Sequence, residues 1–476
     1  ARNAFRAPLR LAPLGVPLQQ ALANNELNED AARTLVALTY AFCVTGNQHY
    51  RAKSLEYLRA FATTFPAGAL AMGVETNHQR HTLYARDWLP NLALAYDVLY
   101  NDMSSAERNA YGAWLRGTVG FIQQQANWDK VRRTSHAAWY AAAVGIVGSA
   151  IGDDRMVQIA EQRMRVVCDR MLGQDGFWAT GSLLQQYSAT RALLAFSEAT
   201  LLRSDYAYKW HNARGESFLR LMLEAPLGLV DPFGAIPSND RTPTRVPPGD
   251  IYLIAGLRYN DPLYRAFARQ AKDDSTPELI LRYGLGRALP HAVARPAYSI
   301  VSPTLGWAVL RTPNVPPARQ LYARLEYGQH GGRFGHADKL NLYLCGFGRR
   351  VTIDDDRYGI ESPLRLGWAK QTLAHNTVVV NYRSQLGAES LYDAGGQPGT
   401  LLLFDRTPFL SVAEADARNV YPMAPLAVYR RCIVLADTYA LDIFTLVATR
   451  AITADWVFHG AGKDVEVLHA ILGERS

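Results

Sequence analysis

The spacing of apolar residues changes once along this chain, near residue 290, and the change sets what each part can fold into. Before it, apolar residues recur with helical spacing in segments such as EDAARTLVALTYAFCVTG and RMVQIAEQRMRVVCDRML. Several of these segments end at Gly, Pro or Asn-Asp, which commonly follow helices. A run of helices with short connections is typical of an all-α array, either a solenoid or a closed (α/α) toroid.

After the change, short segments rich in β-branched and aromatic residues alternate with Gly, Pro and Asn, as in KLNLYLCGFG, HNTVVVNY and AVYRRCIVLAD. This spacing is typical of a β-sandwich. We therefore predict a multidomain α+β fold, with an N-terminal (α/α) toroid over residues 1–290 and an antiparallel β-sandwich over residues 291–476. The segment DVEVLHAIL still has the pattern of a strand, so we expect the sandwich to be incomplete at the C-terminus.

The composition excludes several classes of protein. With 49% apolar and 20% charged residues, the chain is suited to globular domains rather than to disorder. No apolar run is long enough to cross a bilayer, so we expect no membrane insertion. The net charge of +7 comes from scattered arginines rather than a dense basic stripe. This distribution disfavours nucleic acid as a partner and suits an anionic polysaccharide, whose carboxylates or sulfates match the guanidinium group.

Cysteine use and the N-terminus give weaker information. The four cysteines are far apart and form no CxxC pair, so no disulfide framework is expected. Cys43 and Cys168 lie in apolar helical segments and are predicted to be buried. Residues 1–20 are too interrupted by Pro and Arg for the core of a signal peptide. Because the chain does not begin with Met, we expect that any targeting segment has been removed.

Two stretches of the helical part carry candidate chemistry. In NWDKVRRTSHAAWY, Arg132, Arg133 and His136 stand where a helix begins, which suits either an ordinary basic helix start or a site where cations and a histidine meet an anionic ligand. In LLQQYSATRALL, Tyr187 and Arg191 are one helical turn apart and share a face. A cation beside a phenol favours phenolate, which a tyrosine base needs, although Tyr187 is equally read as a half-buried aromatic residue.

Three further residues of the helical part are weaker candidates for sugar contacts. Gln186 stands beside Tyr187, and His81 and Trp88 belong to or follow the NHQRH stretch. Amide, imidazole and indole groups are the kinds of side chain that line a sugar groove, but they are also common elsewhere in proteins.

In the β part, His336, Asp354 and His375 form a nitrogen, oxygen and nitrogen set that suits zinc. Each is predicted to lie at the end of a strand. Such residues are also often hydrogen-bonded structural groups, and the acidic run that follows Asp354 is also read as a solvated turn. The sequence contains no GxSxG, Walker, GxGxxG or HExxH motif, so nucleophilic serine and nucleotide-binding mechanisms have no support.

The segments HGGRFGHADKLNL, IDDDRYG and TLAHNTVVV, placed after a helical part, resemble the heparinase II/III-like polysaccharide lyases. That family includes alginate oligo-lyases and heparin or heparan lyases. The resemblance implies an (α/α) toroid followed by antiparallel β-sheets, with the sugar bound in the cleft between them. It also implies cleavage by β-elimination at a uronic acid.

Position by position, the resemblance assigns roles to the candidates. His336, Asp354 and His375 match the ligands of a zinc ion that is generally structural in the family. His136 matches the histidine that helps neutralise the substrate carboxylate, and Tyr187, followed by Ser as in the alginate lyases, matches the catalytic tyrosine.

The chain also departs from the family pattern. Phe334 stands where the first histidine of the HGH motif is usual, so either Tyr187 performs both proton transfers or His330 or Arg333 has taken over part of that role. Ser135 replaces the asparagine that commonly precedes the histidine of the helical domain, and Ser135 and Arg191 are both expected to contact substrate. The resemblance further assigns Tyr358 to the lining of the cleft.

The function expected from the resemblance is cleavage of a uronic-acid-containing polysaccharide, of the alginate or glycosaminoglycan type, to give 4,5-unsaturated uronate ends. We expect a bacterial periplasmic or secreted monomer or homodimer. Two alternatives stay open. A non-catalytic carbohydrate-binding protein on a lyase fold is supported by Phe334, and an (α/α)-toroid glycoside hydrolase would need two opposed carboxylates, for which Glu75, Asp175 and Asp240 are available.

Overall fold

The computed structural model describes residues 18–65, 84–125, 135–202, 210–238, 244–270, 298–328 without 314 and 317, 335–354, 358, 362–388 and 398–462. Within these ranges ten α-helices come first and eleven β-strands follow, all of them in antiparallel pairs. The predicted order of a helical part and an antiparallel β part is therefore confirmed. None of the described helices is both long and apolar enough to cross a bilayer.

The helices vary from 9 to 28 residues. They are α1 (Leu18–Thr45), α2 (Gln48–Thr64), α3 (Leu89–Val98), α4 (Ser105–Gln125), α5 (Ser135–Ala150), α6 (Asp154–Met171), α7 (Leu183–Thr200), α8 (Phe218–Leu227), α9 (Gly249–Arg258) and α10 (Pro262–Gln270).

Local sequence explains where several helices begin. Ser104 and Glu107 form a capping box ahead of α4, because the Ser104 amide donates to the Glu107 carboxylate at 2.9 Å and the Glu107 amide donates to Ser104 Oγ at 3.3 Å. Asp153 caps α6 by accepting from the Met156 amide at 3.1 Å. These contacts satisfy amide groups that the helix itself leaves unpaired.

Helix α5 contains the candidate residue His136 and is almost entirely buried. Every residue from Ala137 to Gly148 is buried, as expected for a helix that is apolar on all sides. A Cβ at Gly145 would lie 2.1 Å from the ring of Phe196 on α7, so glycine permits the two helices to approach closely. The sequence of α5 thus selects a tight contact with α7.

The strands form three sheets. They are β1 (Ile300–Ser302), β2 (Trp307–Arg311), β3 (Tyr322–Glu326), β4 (Leu342–Gly346), β5 (Arg349–Arg350), β6 (Val378–Val380), β7 (Thr400–Arg406), β8 (Leu410–Asp416), β9 (Leu426–Ala436), β10 (Ala440–Ala448) and β11 (Ala454–Trp456). The strand orders are β1-β2-β3-β4-β5, β10-β9-β8-β7 and β11-β6. The main apolar core lies between the first two sheets, to which Leu310, Leu325, Ala413 and Ile433 contribute, as in a β-sandwich.

The central strands of the first sheet are buried on both faces, not on one. All residues of β2 and β3 are buried, including the arginines Arg311 and Arg324. Arg311 donates to the carbonyl oxygens of Gly228 and Val230 at 2.7 and 2.9 Å, and Arg324 donates to the Ser238 carbonyl at 2.5 Å. The segment that contains these carbonyls therefore covers the second face of the sheet and satisfies its buried cations.

The chain divides into two compact units, described separately below. The helical unit comprises residues 1–176, 185–223 and 248–293, and the β unit comprises residues 177–184, 224–247 and 294–476. Gly228, Val230 and Ser238, whose carbonyl groups contact the first sheet, belong to a segment that the prediction placed in the helical domain. The predicted boundary between residues 290 and 291 lies outside the described residues.

The cysteine prediction is confirmed at one position and wrong at the other. Cys168 is buried, whereas Cys43, in the last turn of α1, is exposed. Apolar neighbours in the sequence predicted burial for both, but a position near a helix end depends on what packs beyond it.

Candidate active site and candidate metal centre

Helices α5 and α7 of the helical unit lie side by side and run in the same direction. Near their beginnings, Trp139 Nε1 donates to Ser188 Oγ at 3.0 Å, across 49 positions of sequence. Near their ends, Ser149 Oγ donates to the Ala199 carbonyl at 2.6 Å, across 50 positions. Because the offset is nearly constant from one end to the other, the two helices are parallel and in register.

This register brings His136 and Tyr187 to one end of the helix pair. His136 lies in the first turn of α5, and Tyr187 lies five residues into α7. Their separation of 51 positions nearly equals the offset of the two hydrogen-bonded pairs. At about 1.5 Å of rise per residue, the two backbones differ by roughly 3 Å or less along the helix axes. His136 is half-buried, and Tyr187 is 6% exposed.

The same end of the pair is electrostatically suited to an anion. Both helices present their N-termini there, where the helix dipole creates partial positive charge. Ser135 is the first residue of α5 and is buried. The position at which the chain has serine instead of the usual asparagine therefore lies at the start of this helix. Its predicted contact with substrate stays a prediction.

Arg191 lies one turn beyond Tyr187, as predicted, but its charge is already paired. Its Nε donates to Asp250 Oδ2 at 2.6 Å, and its Nη2 donates to Asp250 Oδ1 at 2.9 Å. Asp250 stands in the first turn of α9. The cation expected beside the Tyr187 phenol is therefore shared with a carboxylate, and Arg191 fastens α7 to α9.

Two predicted sugar-contacting residues lie in the core. Gln186 is fully buried, and its Nε2 donates to the carbonyls of Gly176 and Met222 at 3.1 Å each. Trp88 is also fully buried, and its ring packs against Phe61 and Phe65 with ring centroids 5.6 and 5.2 Å apart. Both side chains are buried among the described residues, and the predicted contacts of Gln186 and Trp88 with substrate stay predictions.

Several predicted site residues cannot be placed. Five residues that are predicted to contact substrate lie outside the described part of the chain, and so does Phe334. The five are His81, Arg132, Arg133, His330 and Arg333. Tyr358 is described and is half-buried. These roles stay predictions.

In the β unit, two of the three predicted zinc ligands come together. His336 and His375 are 4% and 2% exposed, and their rings stack with centroids 5.2 Å apart. The third member of the group is Asp338, two residues after His336. The potential ligand atoms of these three residues all lie within 4.8 Å of one another.

Asp354, the carboxylate predicted as the third ligand, contacts this group through His375. Its Oδ1 lies 3.0 Å from His375 Nδ1, and its Oδ2 accepts from Arg324 at 3.0 Å and Asn341 at 2.5 Å. Burial opposes protonation of His375, but the Asp354 carboxylate raises its pKa from 6.5 to about 9. Burial would raise the pKa of Asp354, yet His375 and Arg324 hold it well below its usual range.

More buried charges surround the group. Glu326 is 4% exposed and pairs with Arg324 at 3.3 Å, while fully buried Lys339 lies 3.6 Å from Asp338. Burial and the neighbouring Asp338 carboxylate raise the pKa of Glu326, against the pull of the two cations. Burial also lowers the pKa of Lys339. Neither a motif nor an alternation of apolar and polar residues distinguished Arg324 and Glu326 in the sequence, because they lie on a strand that is buried on both faces.

The donor set fits a zinc ion. Two imidazole nitrogens and a carboxylate oxygen are common zinc ligands, and modest side-chain movements would bring such closely spaced atoms to ligand distances of about 2.0–2.2 Å. His336 and His375 are the members shared by the predicted and observed groups, and Asp338 and Asp354 both offer a carboxylate beside them. The identity of the metal is not fixed by these contacts.

Comparison with known proteins agrees with both halves of this structure. Residues 13–193 match the family model described as alginate lyase, and residues 294–467 match the model described as heparinase II/III-like, C-terminal. The matched region of the helical part is thus similar to alginate lyases and contains both His136 and Tyr187. The matched region of the β part is similar to the C-terminal domain of heparinase II/III-like proteins. The resemblance to the heparinase II/III-like polysaccharide lyases that the motifs indicated is confirmed.

Particular relatives extend the same result. An alginate lyase of Stenotrophomonas maltophilia (strain K279a) is 24% identical over 456 residues, which cover 86% of this chain and 59% of that protein. An exo-oligoalginate lyase of Saccharophagus degradans is 21% identical over 505 residues, covering 95% of this chain and 66% of that protein. The chain thus spans about two thirds or less of the length of these relatives. A heparinase III structure shares the fold, with a TM-score of 0.67, 11% identity and coverage of 95% of this chain and 69% of the other.

Proposed function

We propose that this chain is the lyase part of a polysaccharide lyase that cleaves a uronic-acid-containing anionic polysaccharide by β-elimination. The substrate is of the alginate or glycosaminoglycan type, and the products carry 4,5-unsaturated uronate ends. The observation that carries the proposal is the register of α5 and α7, which brings His136 and Tyr187 to the same end of a parallel helix pair. Both residues lie in the part of the chain that matches the alginate lyase model.

The chemistry requires that the carboxylate next to the C5 carbon be neutralised, because only then is the C5 proton acidic enough to be removed. We assign this task to His136, the N-termini of α5 and α7, and the arginines Arg132 and Arg133, which precede α5 in the sequence. Fixed dipoles and a half-buried imidazole suit this role, since they stabilise negative charge as it develops on the carboxylate.

Tyr187 is the candidate for proton transfer. As phenolate it removes the C5 proton, and as phenol it donates a proton to the departing O4 oxygen, so that one side chain serves both steps when both groups lie on one face of the sugar. The C4–O4 bond breaks as the C4–C5 double bond forms, and no co-reactant is consumed. His336, Asp338, Asp354 and His375 take no part in these steps, because in this proposal a bound zinc ion stabilises the β unit.

We also propose a cellular location for the protein. Polymers of this kind are too large to cross a membrane freely, so we place the enzyme in the periplasm or outside the cell. The two relatives described above, an alginate lyase and an exo-oligoalginate lyase, favour alginate as the first polymer to test.

The test measures the ultraviolet absorbance of unsaturated uronate on a panel of alginate, heparan sulfate, hyaluronan and chondroitin. Tyr187→Phe is expected to lower kcat by about 10²- to 10⁴-fold, the usual contribution of a general acid–base group. His136→Ala is expected to cause a comparable loss, since the substrate carboxylate then lacks a partner.

Matched controls separate chemistry from folding. Tyr111→Phe changes another buried tyrosine of the helical unit, which is 7% exposed, and His49→Ala changes an exposed histidine on α2. Both are expected to retain the rate of the parent. Full activity in Tyr187→Phe would contradict the assignment, and polymer cleavage without an unsaturated product would favour a hydrolase.

A further inference from the structure

A concave surface lies in the β unit, beside the turn that follows β6. This cavity, which we call the turn cavity, has a volume of about 720 Å³. Its lining includes Gln371, Asn381, Arg383, Ser384 and Met423, and none of its twelve lining residues is acidic. A hollow with a single kind of charge along its lining suits a ligand of the opposite charge.

One rim of the cavity is a two-residue turn in an uncommon conformation. The Arg383 amide donates to the Val380 carbonyl at 3.1 Å, which closes the turn around Asn381 and Tyr382. Both central residues have positive φ, 52° at Asn381 and 56° at Tyr382. Asparagine tolerates this region, but tyrosine rarely adopts it, and glycine is the usual residue at the second position of such a turn.

The turn is held in place by its neighbour in the sheet. Asn381 donates its amide to the Thr453 carbonyl at 2.8 Å, and its Oδ1 accepts from the Thr453 amide at 2.9 Å. These two bonds fix Asn381, the residue before Tyr382, and the Arg383–Val380 bond closes the turn after it. Contacts with the neighbouring segment thus hold the strained conformation.

At this turn, Tyr382 and Arg383 present side chains that are available to a ligand. The Tyr382 side chain is 78% exposed. The Arg383 guanidinium makes no hydrogen bond or salt bridge with any described residue, in contrast to the many paired arginines of the β unit. Strained backbone is retained at ligand-binding sites more often than elsewhere.

The rest of the cavity lining combines polar and apolar side chains. Ser384 Oγ donates to Gln371 Oε1 at 2.6 Å, so these two side chains hold each other in a fixed position at the cavity. On the other side Met423 is 87% exposed and supplies an apolar rim. A sugar ring has both kinds of surface, with apolar C–H faces and polar edges.

We propose that the turn cavity binds a uronate unit of an anionic polysaccharide. This inference rests on the proposed function for the class of polymer. The Arg383 guanidinium pairs with the sugar carboxylate through a charge-assisted, bidentate hydrogen bond. Tyr382 is not itself a lining residue but stands on the turn between Asn381 and Arg383, which line the cavity. In the proposal its ring packs against the C–H face of a sugar at the rim, and the Asn381 Nδ2 group faces the sugar hydroxyls. The site holds polymer without reacting with it.

The test measures binding of alginate and heparan sulfate by calorimetry, with dextran as a neutral control, in a Tyr187→Phe background. Arg383→Ala and Tyr382→Gly are each expected to weaken binding of an acidic polymer about fivefold or more, because each removes one anchoring contact. Tyr382→Gly also relieves the positive-φ strain, so its melting temperature is expected to equal or exceed that of the parent. Binding and stability should therefore change in opposite directions.

The controls for this binding test are variants of the β unit, and failure of the binding site can be told apart from failure of the catalytic proposal. Arg349→Ala and Tyr439→Ala remove an exposed arginine and an exposed tyrosine of the same unit that do not line the cavity, and both should bind like the parent. Equal affinity in all variants, equal binding of dextran, or no binding of either acidic polymer would overturn the inference. If Arg383→Ala and Tyr382→Gly weaken binding while the wild-type chain yields no unsaturated product, the proposed function fails and the binding site stands.

Discussion

The candidate metal centre and the candidate active site differ in how their polar groups are paired. In the β unit, Arg324, Asp354 and His375 are almost fully buried and bonded to one another at 3.0 Å. In the helical unit, His136 is only half-buried at the start of α5, where two helix dipoles provide partial charge. The charges of the first arrangement are largely paired with one another, whereas the second presents partial positive charge beside a half-buried imidazole.

This difference shows that density of charge is a poor guide to where chemistry takes place. A buried network whose charged groups pair with one another stabilises one conformation, and its charges are largely neutralised within the protein. A reactive site needs a base within reach of substrate and a partial charge that substrate completes. The richest cluster of perturbed pKa values is therefore assigned to stability, and the sparser helix end to catalysis.

The largest effect on stability is expected from Arg324→Met. This change leaves the carboxylates of Asp354 and Glu326 and the Ser238 carbonyl without their shared buried partner. Breaking a buried ion pair on one side costs about 3–5 kcal/mol of unfolding free energy. The measurement is denaturant unfolding followed by tryptophan fluorescence.

The matched control for this prediction is Arg430→Met. Arg430 belongs to the same unit but pairs with Glu414 at 3.4 Å in a partly exposed position. Its loss should cost about 1 kcal/mol or less, as exposed pairs do. If Arg324→Met costs no more than Arg430→Met, the buried network is not the stabilising feature that the comparison requires.

The second effect is that of metal removal. Zinc at about 100 times its dissociation constant would add roughly 2.7 kcal/mol to the free energy of unfolding, so a chelator should remove a comparable amount and added zinc should restore it. His336→Ala should abolish this response, while His49→Ala on α2 should keep it. Measurements are melting temperature and elemental analysis. A metal-loaded protein whose melting temperature is unchanged by chelation would contradict a structural role.

Much of the fold was predictable because period and turn residues are local properties. The helical and alternating segments coincide with the observed helices and strands, and the capping box at Ser104 follows from four consecutive positions. The burial of both faces of β2 was not predictable, because the covering segment contains Gly228 and Val230, some eighty residues earlier in the chain. Only tertiary structure brings those carbonyls to Arg311.

The site was predictable where a motif fixes it and not where packing does. His336 and His375 come together as the resemblance implied, but the choice between Asp338 and Asp354 depends on distances of a few ångströms. Gln186 lies beside Tyr187 in the sequence, yet a helix turns adjacent residues about 100° apart, so the two enter different surroundings. The fully apolar helix α5 gave no indication of which of its faces α7 contacts.

The smallest expected effect is the most direct test of the helix pair. Ser188→Ala removes the acceptor for Trp139 at the end that contains His136 and Tyr187, and Ser149→Ala removes the donor to Ala199 at the opposite end. Each loses one hydrogen bond and should cost about 1 kcal/mol of unfolding free energy.

Activity should separate the two variants. Because small displacements of reacting groups are costly, Ser188→Ala should lower kcat by about tenfold, while Ser149→Ala leaves kcat near that of the parent. Steady-state rates and unfolding curves on the same samples give both quantities. Equal loss of kcat in the two variants would mean that the contact acts only through general stability, and the assignment of the reactive end of the α5–α7 pair would be lost.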